Sequence, residues 1–290
     1  MIRGSKLNHG KENIMSKSSK KLLIVGGDSW SNPNENCYIE YDVKKIWPDV
    51  VADFLDMDLI NVSTGGAGNS YIHGQIIDAI ENNIDRDIVV MANWSQAIRI
   101  VPFEMKLAQL TFNVNSQNSI TAFGSAKNEC QKALRHLYQL HVDDPDHHFM
   151  EKEEFWLKVA NVSLRDIYLL NEYCKLHDIP LLHHRALPTL SGIEWILKPE
   201  IDFKLRDYIL EVCKQNQYYQ KILKFDNVVG HPNFFEKGSA CFNLYQKYFL
   251  SLDEKHPNEA GHQVIAHSFI NKYIELYEEK TISEPSYVYD

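Results

Sequence analysis

Lys21-Leu-Leu-Ile-Val-Gly-Gly-Asp-Ser-Trp-Ser31 is the stretch on which the fold turns. Leu22 to Val25 is a short apolar run of branched residues closed by two glycines. That pattern predicts a buried parallel strand running into a tight turn. Ser29 then lies just past the strand's carboxyl end, where open α/β sheets leave a crevice that their helices do not cover. Glycines at 26 and 27 open backbone conformations that other residues avoid, so a following side chain can be presented at the mouth of the sheet. An ordinary turn, with Asp28 or Ser29 capping the next helix, accounts for the same residues.

The far end of the chain separates the two readings. Asp253-Glu-Lys-His-Pro-Asn-Glu-Ala-Gly-His262 sets an Asp three residues before a His and leads into a helical pattern from Glu259 to Tyr277. A serine hydroxyl needs a base to become a nucleophile, and the base works best when a carboxylate fixes its tautomer. His256 and Asp253 supply both from one short segment.

Between these ends, helix and strand patterns alternate. Helical spacing from Tyr41 to Leu55 contains Pro48, which marks a helix start. Strands are expected at Asp58 to Val62 and Asp87 to Ala92, separated by a helix from about Tyr71 to Asn83. A long helix is expected over Glu153 to Leu176, then a strand at Ile179 to His184 and a short fifth at Asn227 to Val229. Strands joined by helices in this order imply right-handed crossovers. The expected architecture is a three-layer α/β/α sandwich around a parallel sheet of about five strands.

Gly27-Asp28-Ser29 and Asp253-x-x-His256-Pro257 resemble the first and last motif blocks of the SGNH (GDSL) hydrolase family. The resemblance implies a flavodoxin-like core, esterase activity through Ser29, His256 and Asp253, and no metal or organic cofactor. It also implies that the glycine-rich turn Ser63-Thr-Gly-Gly-Ala-Gly-Asn-Ser70 supplies an oxyanion-hole amide beside that of Ser29. Gly66 corresponds best by its spacing from Asn61, with Gly65 and Gly68 as alternatives. Where the family carries Gly-x-Asn-Asp, this chain has Met91-Ala-Asn-Trp-Ser-Gln. That departure marks a divergent member and leaves Asn93 and Ser95 as rival third donors.

The 290 residues suit one large domain. The expected division is a disordered leader or tag-derived extension at 1–20, a hydrolase-like domain at 21–278 with insertions at about 103–151 and 187–225, and a tail at 279–290. A net charge of −9 argues against general affinity for nucleic acid, which needs clustered cations. No apolar run is long enough to span a bilayer. Five scattered cysteines, at 37, 130, 174, 213 and 241, form no Cys-x-x-Cys pair, so free thiols in a reducing, cytoplasm-like compartment are expected. Asp143, Asp144, Asp146, His147 and His148 cluster beside Pro145, a composition that fits a solvated loop better than a metal site. His183 and His184 compete with His256 as bases, but strand alternation aims them at opposite faces and no carboxylate stands near either in sequence.

The expected partner is a small-molecule or carbohydrate ester; a small acyl group such as O-acetyl on a sugar suits the site, and the sequence leaves both the substrate and the choice between hydrolysis and acyl transfer open. Two other classes fit the scaffold. A non-catalytic carbohydrate-binding module would explain the missing Gly-x-Asn-Asp block. A nucleotide-binding flavodoxin-like protein would use the two glycine-rich turns to hold phosphate, although neither turn spells a phosphate-binding motif.

Overall fold

The computed structural model describes residues 20–95, 99–100, 112–113, 153–185, 211, 214–229, 246–251 and 256–278. Its centre is a four-stranded parallel sheet. The strands are β1 (Leu22–Gly26), β2 (Asp58–Asn61), β3 (Ile88–Trp94) and, after a small antiparallel pair β4 (Arg99–Ile100) and β5 (Phe112–Asn113), β6 (Leu181–Arg185). The order across the sheet is β2-β1-β3-β6. Ile24 lies between Ile60 and Val90, and Ala92 pairs with His183.

Among the described residues six α-helices accompany the strands: α1 (Asn36–Glu40), α2 (Trp47–Phe54), α3 (Asn69–Glu81), α4 (Glu153–Leu176), α5 (Gln217–Ile222) and α6 (Glu259–Tyr277). Alternation along each strand divides the core in two. Leu22, Ile24, Ile88, Val90 and Leu181 pack under α3, α4 and α5 with Ile76, Leu164, Ile167 and Ile222. Leu23, Val25, Val89, Met91 and Leu182 face the other way, toward Val51 of α2 and Ile265, Phe269 and Tyr273 of α6. The result is the three-layer α/β/α arrangement. Helix α6 buries Ile265, Ala266, Phe269, Ile270 and Tyr273, a stripe at three- and four-residue spacing. Trp47 stacks on Phe269 with centroids 4.4 Å apart and planes 7° from parallel, which locks α2 to α6.

Two expectations need correction. Among the described residues the sheet has four strands rather than about five: the Asn227–Val229 segment contributes a single parallel bridge, His183 to Val228. The His183 amide donates to Asn227 O at 2.9 Å and the Val229 amide to His183 O at 2.8 Å. The Asn227 side chain anchors the segment instead of a longer ladder, donating to Leu181 O at 2.8 Å and to Asn171 at 3.2 Å. In addition, β3 runs past Ala92 to Trp94, because Asn93 and Trp94 pair with His184 and Arg185 of the neighbouring strand. Asn93 is therefore a strand residue, not a turn residue. Helices α4 and α6 have the expected bounds, and Pro48 stands in the first turn of α2.

Of the second expected insertion, α5 and Phe225 lie among the described residues, and Tyr219, Ile222 and Phe225 join the core. The 1–19 leader, the Asp143–His148 cluster and the tail from 279 lie outside them. Cys174 is a buried thiol, and burial pushes it up to about 12. Among the described residues no helix is long and apolar enough to cross a membrane.

Candidate active site

Strands β1 and β3 are neighbours whose connections leave toward opposite faces of the sheet, the switch point beyond whose carboxyl ends open α/β sheets bind ligands. The chain leaving β1 turns at once. The Ser31 amide donates to Asp28 O at 3.0 Å, and the Asp28 carboxylate accepts the Trp30 amide at 3.1 Å. Ser29 sits on the crest of this turn, 8% exposed. Gly27 has no room for a side chain: an added Cβ would lie 2.5 Å from Ser31 Oγ and 3.0 Å from Asn93 Cβ.

Ser31 is the anchor beneath the turn. Its hydroxyl accepts from Asn93 Nδ2 at 2.7 Å and from Trp47 Nε1 at 3.1 Å, and its carbonyl accepts from Asn61 Nδ2 at 2.7 Å. Asn93 Oδ1 in turn accepts from His184 Nδ1 at 2.6 Å. Sequence reasoning passed over Ser31, Asn61 and Trp47; the available signal was a set of polar or indole groups just beyond three strand or helix ends that had to find buried partners.

From the other end of the chain, His256 reaches this turn. Its Nε2 is 2.8 Å from Ser29 Oγ. The segment bearing it runs antiparallel to the one after a 3₁₀ turn at Gln246–Tyr248 and is held by a Phe249–Pro257 bridge. The Leu250 amide donates to His256 O at 3.0 Å and the Asn258 amide to Tyr248 O at 2.9 Å. Asn258 also donates from Nδ2 to Lys247 O and Phe249 O, at 2.8 and 3.0 Å, while its Oδ1 caps α6 by accepting the Gly261 amide at 3.0 Å. Tyr38 of α1 stands edge-on to His256, centroids 5.8 Å apart, and to His262 at 5.0 Å. His262 accepts the Trp47 amide on Nδ1 at 3.3 Å. Burial, reinforced by His256, lowers its pKa to about 3, so it stays neutral beside His256.

The remaining predicted residues fall as follows. Gly66 takes the left-handed conformation, φ 72°, between Gly65 and Ala67. Among the described residues neither the Ser29 nor the Gly66 amide has a protein acceptor. The turns that carry them are joined by the Thr64 amide, which donates to Gly27 O at 3.1 Å. The Asn93 amide points into the interior, and the Ser95 hydroxyl donates to Asp28 Oδ2 at 3.1 Å; both residues are fully buried. Asp253 lies outside the described residues. His183 accepts from Trp94 Nε1 at 2.9 Å and stacks on Phe225; burial lowers its pKa to about 3. It belongs to the layer of α4 and α5, and His184 to the layer of α6. Among the described residues no group of three or more His, Cys, Asp or Glu is placed to hold a metal ion.

No protein-family model matches the chain, and no curated protein matches it. Solved structures that overlay on it include an acetyl xylan esterase from Geobacillus stearothermophilus, at 13% identity and TM-score 0.41, covering 92% of this chain and 98% of that one. A lipase/acylhydrolase from Enterococcus faecalis overlays at 9% identity and TM-score 0.38, covering 88% and 95%. An α/β hydrolase from the metagenome of Lake Arreo does so at 13% and 0.38, covering 88% and 95%. These overlays are too loose to carry either fold or chemistry, which rest on the chain's own sheet order and side chains.

Proposed function

We propose that the chain is a serine esterase of SGNH type that removes a small acyl group, an O-acetyl ester on a carbohydrate being one candidate substrate. The observation that carries the reading is the 2.8 Å approach of His256 Nε2 to Ser29 Oγ, between residues 227 positions apart in sequence. A nucleophile and base in hydrogen-bond reach at the mouth of a parallel sheet are what acyl transfer requires.

In this reading Ser29 Oγ attacks the ester carbonyl carbon while His256 Nε2 takes its proton. The oxyanion forms against the Ser29 and Gly66 amides, which have no competing protein acceptor among the described residues; one such donor is worth about 3 kcal/mol. The C–O bond to the alcohol then breaks, and His256 returns the proton to the departing oxygen. Water, deprotonated by His256, adds to the acyl carbon; the bond to Ser29 Oγ then breaks, His256 returns the proton to Ser29, and the acyl group leaves as its acid. Asp253 is assigned the orienting carboxylate on its three-residue spacing from His256. Because Asn93 Nδ2 and the Ser95 hydroxyl are engaged inside the protein, the cradle in this reading is built from main-chain donors.

The test is hydrolysis of p-nitrophenyl acetate by the purified chain beside Ser29→Ala and His256→Ala, with a fluorophosphonate label located by mass spectrometry. Both variants should lose at least about 10⁴-fold in kcat, and the double variant little more, because the two residues act as one unit. Label should appear on Ser29. No turnover and no label on the wild-type chain would favour a binding module on the same scaffold.

A further inference from the structure

The exit of β3 carries more hydrogen bonding than one loop residue needs. Ser95 is fully buried, and all three of its polar groups are engaged. Its hydroxyl donates to Asp28 Oδ2 at 3.1 Å. Its amide donates to Asn69 Oδ1 at 2.8 Å, and its carbonyl accepts from Asn69 Nδ2 at 3.0 Å. One carboxamide thus clasps both main-chain groups of Ser95, supplying the pairing that a neighbouring strand would give inside the sheet. The same Nδ2 also donates to Ser163 Oγ on α4 at 2.6 Å. Asn69, 2% exposed, is the first residue of α3 and stands three residues after Gly66.

The chain of contacts therefore joins two specific places. At one end it holds Asp28, the neighbour of Ser29. At the other it holds the helix start that follows directly from Gly66. These are the two turns whose amides must converge on a single oxygen if the esterase reading is right, and this inference rests on that reading. Donors in such a cradle act only when each lies within hydrogen-bond distance of the developing oxyanion, and a displacement of about 1 Å can cost about 100-fold in rate. We infer that Asn69 and Ser95 are positioning residues that set the separation between the Ser29 and Gly66 amides, so that Ser95 serves the oxyanion through Asp28 rather than by donating to it.

Simple satisfaction of buried polar groups would give the same contacts but a different response to mutation. It would lower the fraction of folded molecules and leave the folded ones fully active. The experiment is to titrate reactive Ser29 with a fluorophosphonate and express kcat and KM for p-nitrophenyl acetate per titrated site. Ser95→Ala should lower kcat per site about 10- to 100-fold with KM within about twofold, and Ser95→Thr, which keeps the hydroxyl, should recover to within about threefold of wild type. Ser163→Ala touches only the outer contact and serves where Ser95→Ala does not fold; it should lower kcat per site about threefold. Unchanged kcat per site in the folded variants, or Ser95→Thr no better than Ser95→Ala, would overturn the inference alone. A wild-type chain that neither labels nor turns over would overturn the esterase reading and this inference with it.

Discussion

The turn bearing Ser29 and the turn bearing His256 meet at 2.8 Å but are held by opposite means. The serine turn is fixed from below, by fully buried side chains: Ser31 under Asn93 and Trp47, and Asp28 under Ser95. Among the described residues the histidine turn is held from the side, by backbone rungs at Leu250 and Asn258, by the partly exposed Asn258 side chain and by Tyr38 edge-on to His256. Buried networks are costly to leave half satisfied, whereas a solvated backbone ladder can lose one contact to water at modest cost. The serine side should therefore be brittle and the histidine side forgiving.

Gly27→Ala is the sharpest way to break that contrast. The new methyl group would need the space occupied by Ser31 Oγ and Asn93 Cβ, and neither can swing away without releasing Trp47 or His184. Overpacking of this kind costs about 1–3 kcal/mol, and movement of the turn should lower kcat by about 100-fold. Urea unfolding and p-nitrophenyl acetate kinetics measure the two parts. A variant with near-normal kcat would show that the serine turn is as adaptable as its partner.

This brittleness also explains what the sequence made legible. The run Leu22 to Val25 and its glycines announced β1, and the period of α6 was readable because burial of Ile265, Phe269 and Tyr273 imposes it. Ser29 and His256 were legible because their chemistry demands a partner. The network beneath them was not. Asn93 looked like a turn donor because its pairing with His184 depends on a strand from 91 positions further along the chain. Ser95 stood out only as a rival oxyanion donor and Asn69 not at all, since nothing local shows that one carboxamide will clasp the other's backbone. The fifth strand shrank to a bridge for a similar reason: Asn227 anchors it by side chain, which strand propensity does not register.

Acid should act next most strongly, and on the histidine side. His262 stands behind Tyr38 and His256, with its pKa lowered from 6.5 to about 3. Between those values the unfolded chain holds a proton that the folded chain does not. Stability is therefore lost as pH falls from about 6.5, at a rate approaching 1.4 kcal/mol per pH unit for each such group. His183, also lowered to about 3, adds a second proton from the opposite layer. His262→Asn keeps an acceptor near the Trp47 amide and removes one titration. Urea unfolding at a series of pH values should show a slope smaller by about one proton in that variant. An unchanged slope would mean that His262 is not buried and neutral.

The smallest effect expected is at Asn258, and it tests the forgiving half directly. Its side chain makes three contacts: two donations that hold the segment before His256, and one acceptance that caps α6. Asn258→Ala should destabilise the protein by about 1–2 kcal/mol, chiefly through the lost cap. The Asn258 amide, the Leu250 amide and the Phe249–Pro257 bridge all survive the substitution, so His256 keeps its main-chain support. The expected kinetic change is therefore only a few-fold in kcat, about 1 kcal/mol or less in the barrier. Asn258→Asp retains the cap acceptor but removes both donations, which separates the two roles: stability should return while the few-fold loss in kcat persists. If either substitution lowered kcat as far as Gly27→Ala does, the histidine turn would depend on its one asparagine as heavily as the serine turn depends on its buried network.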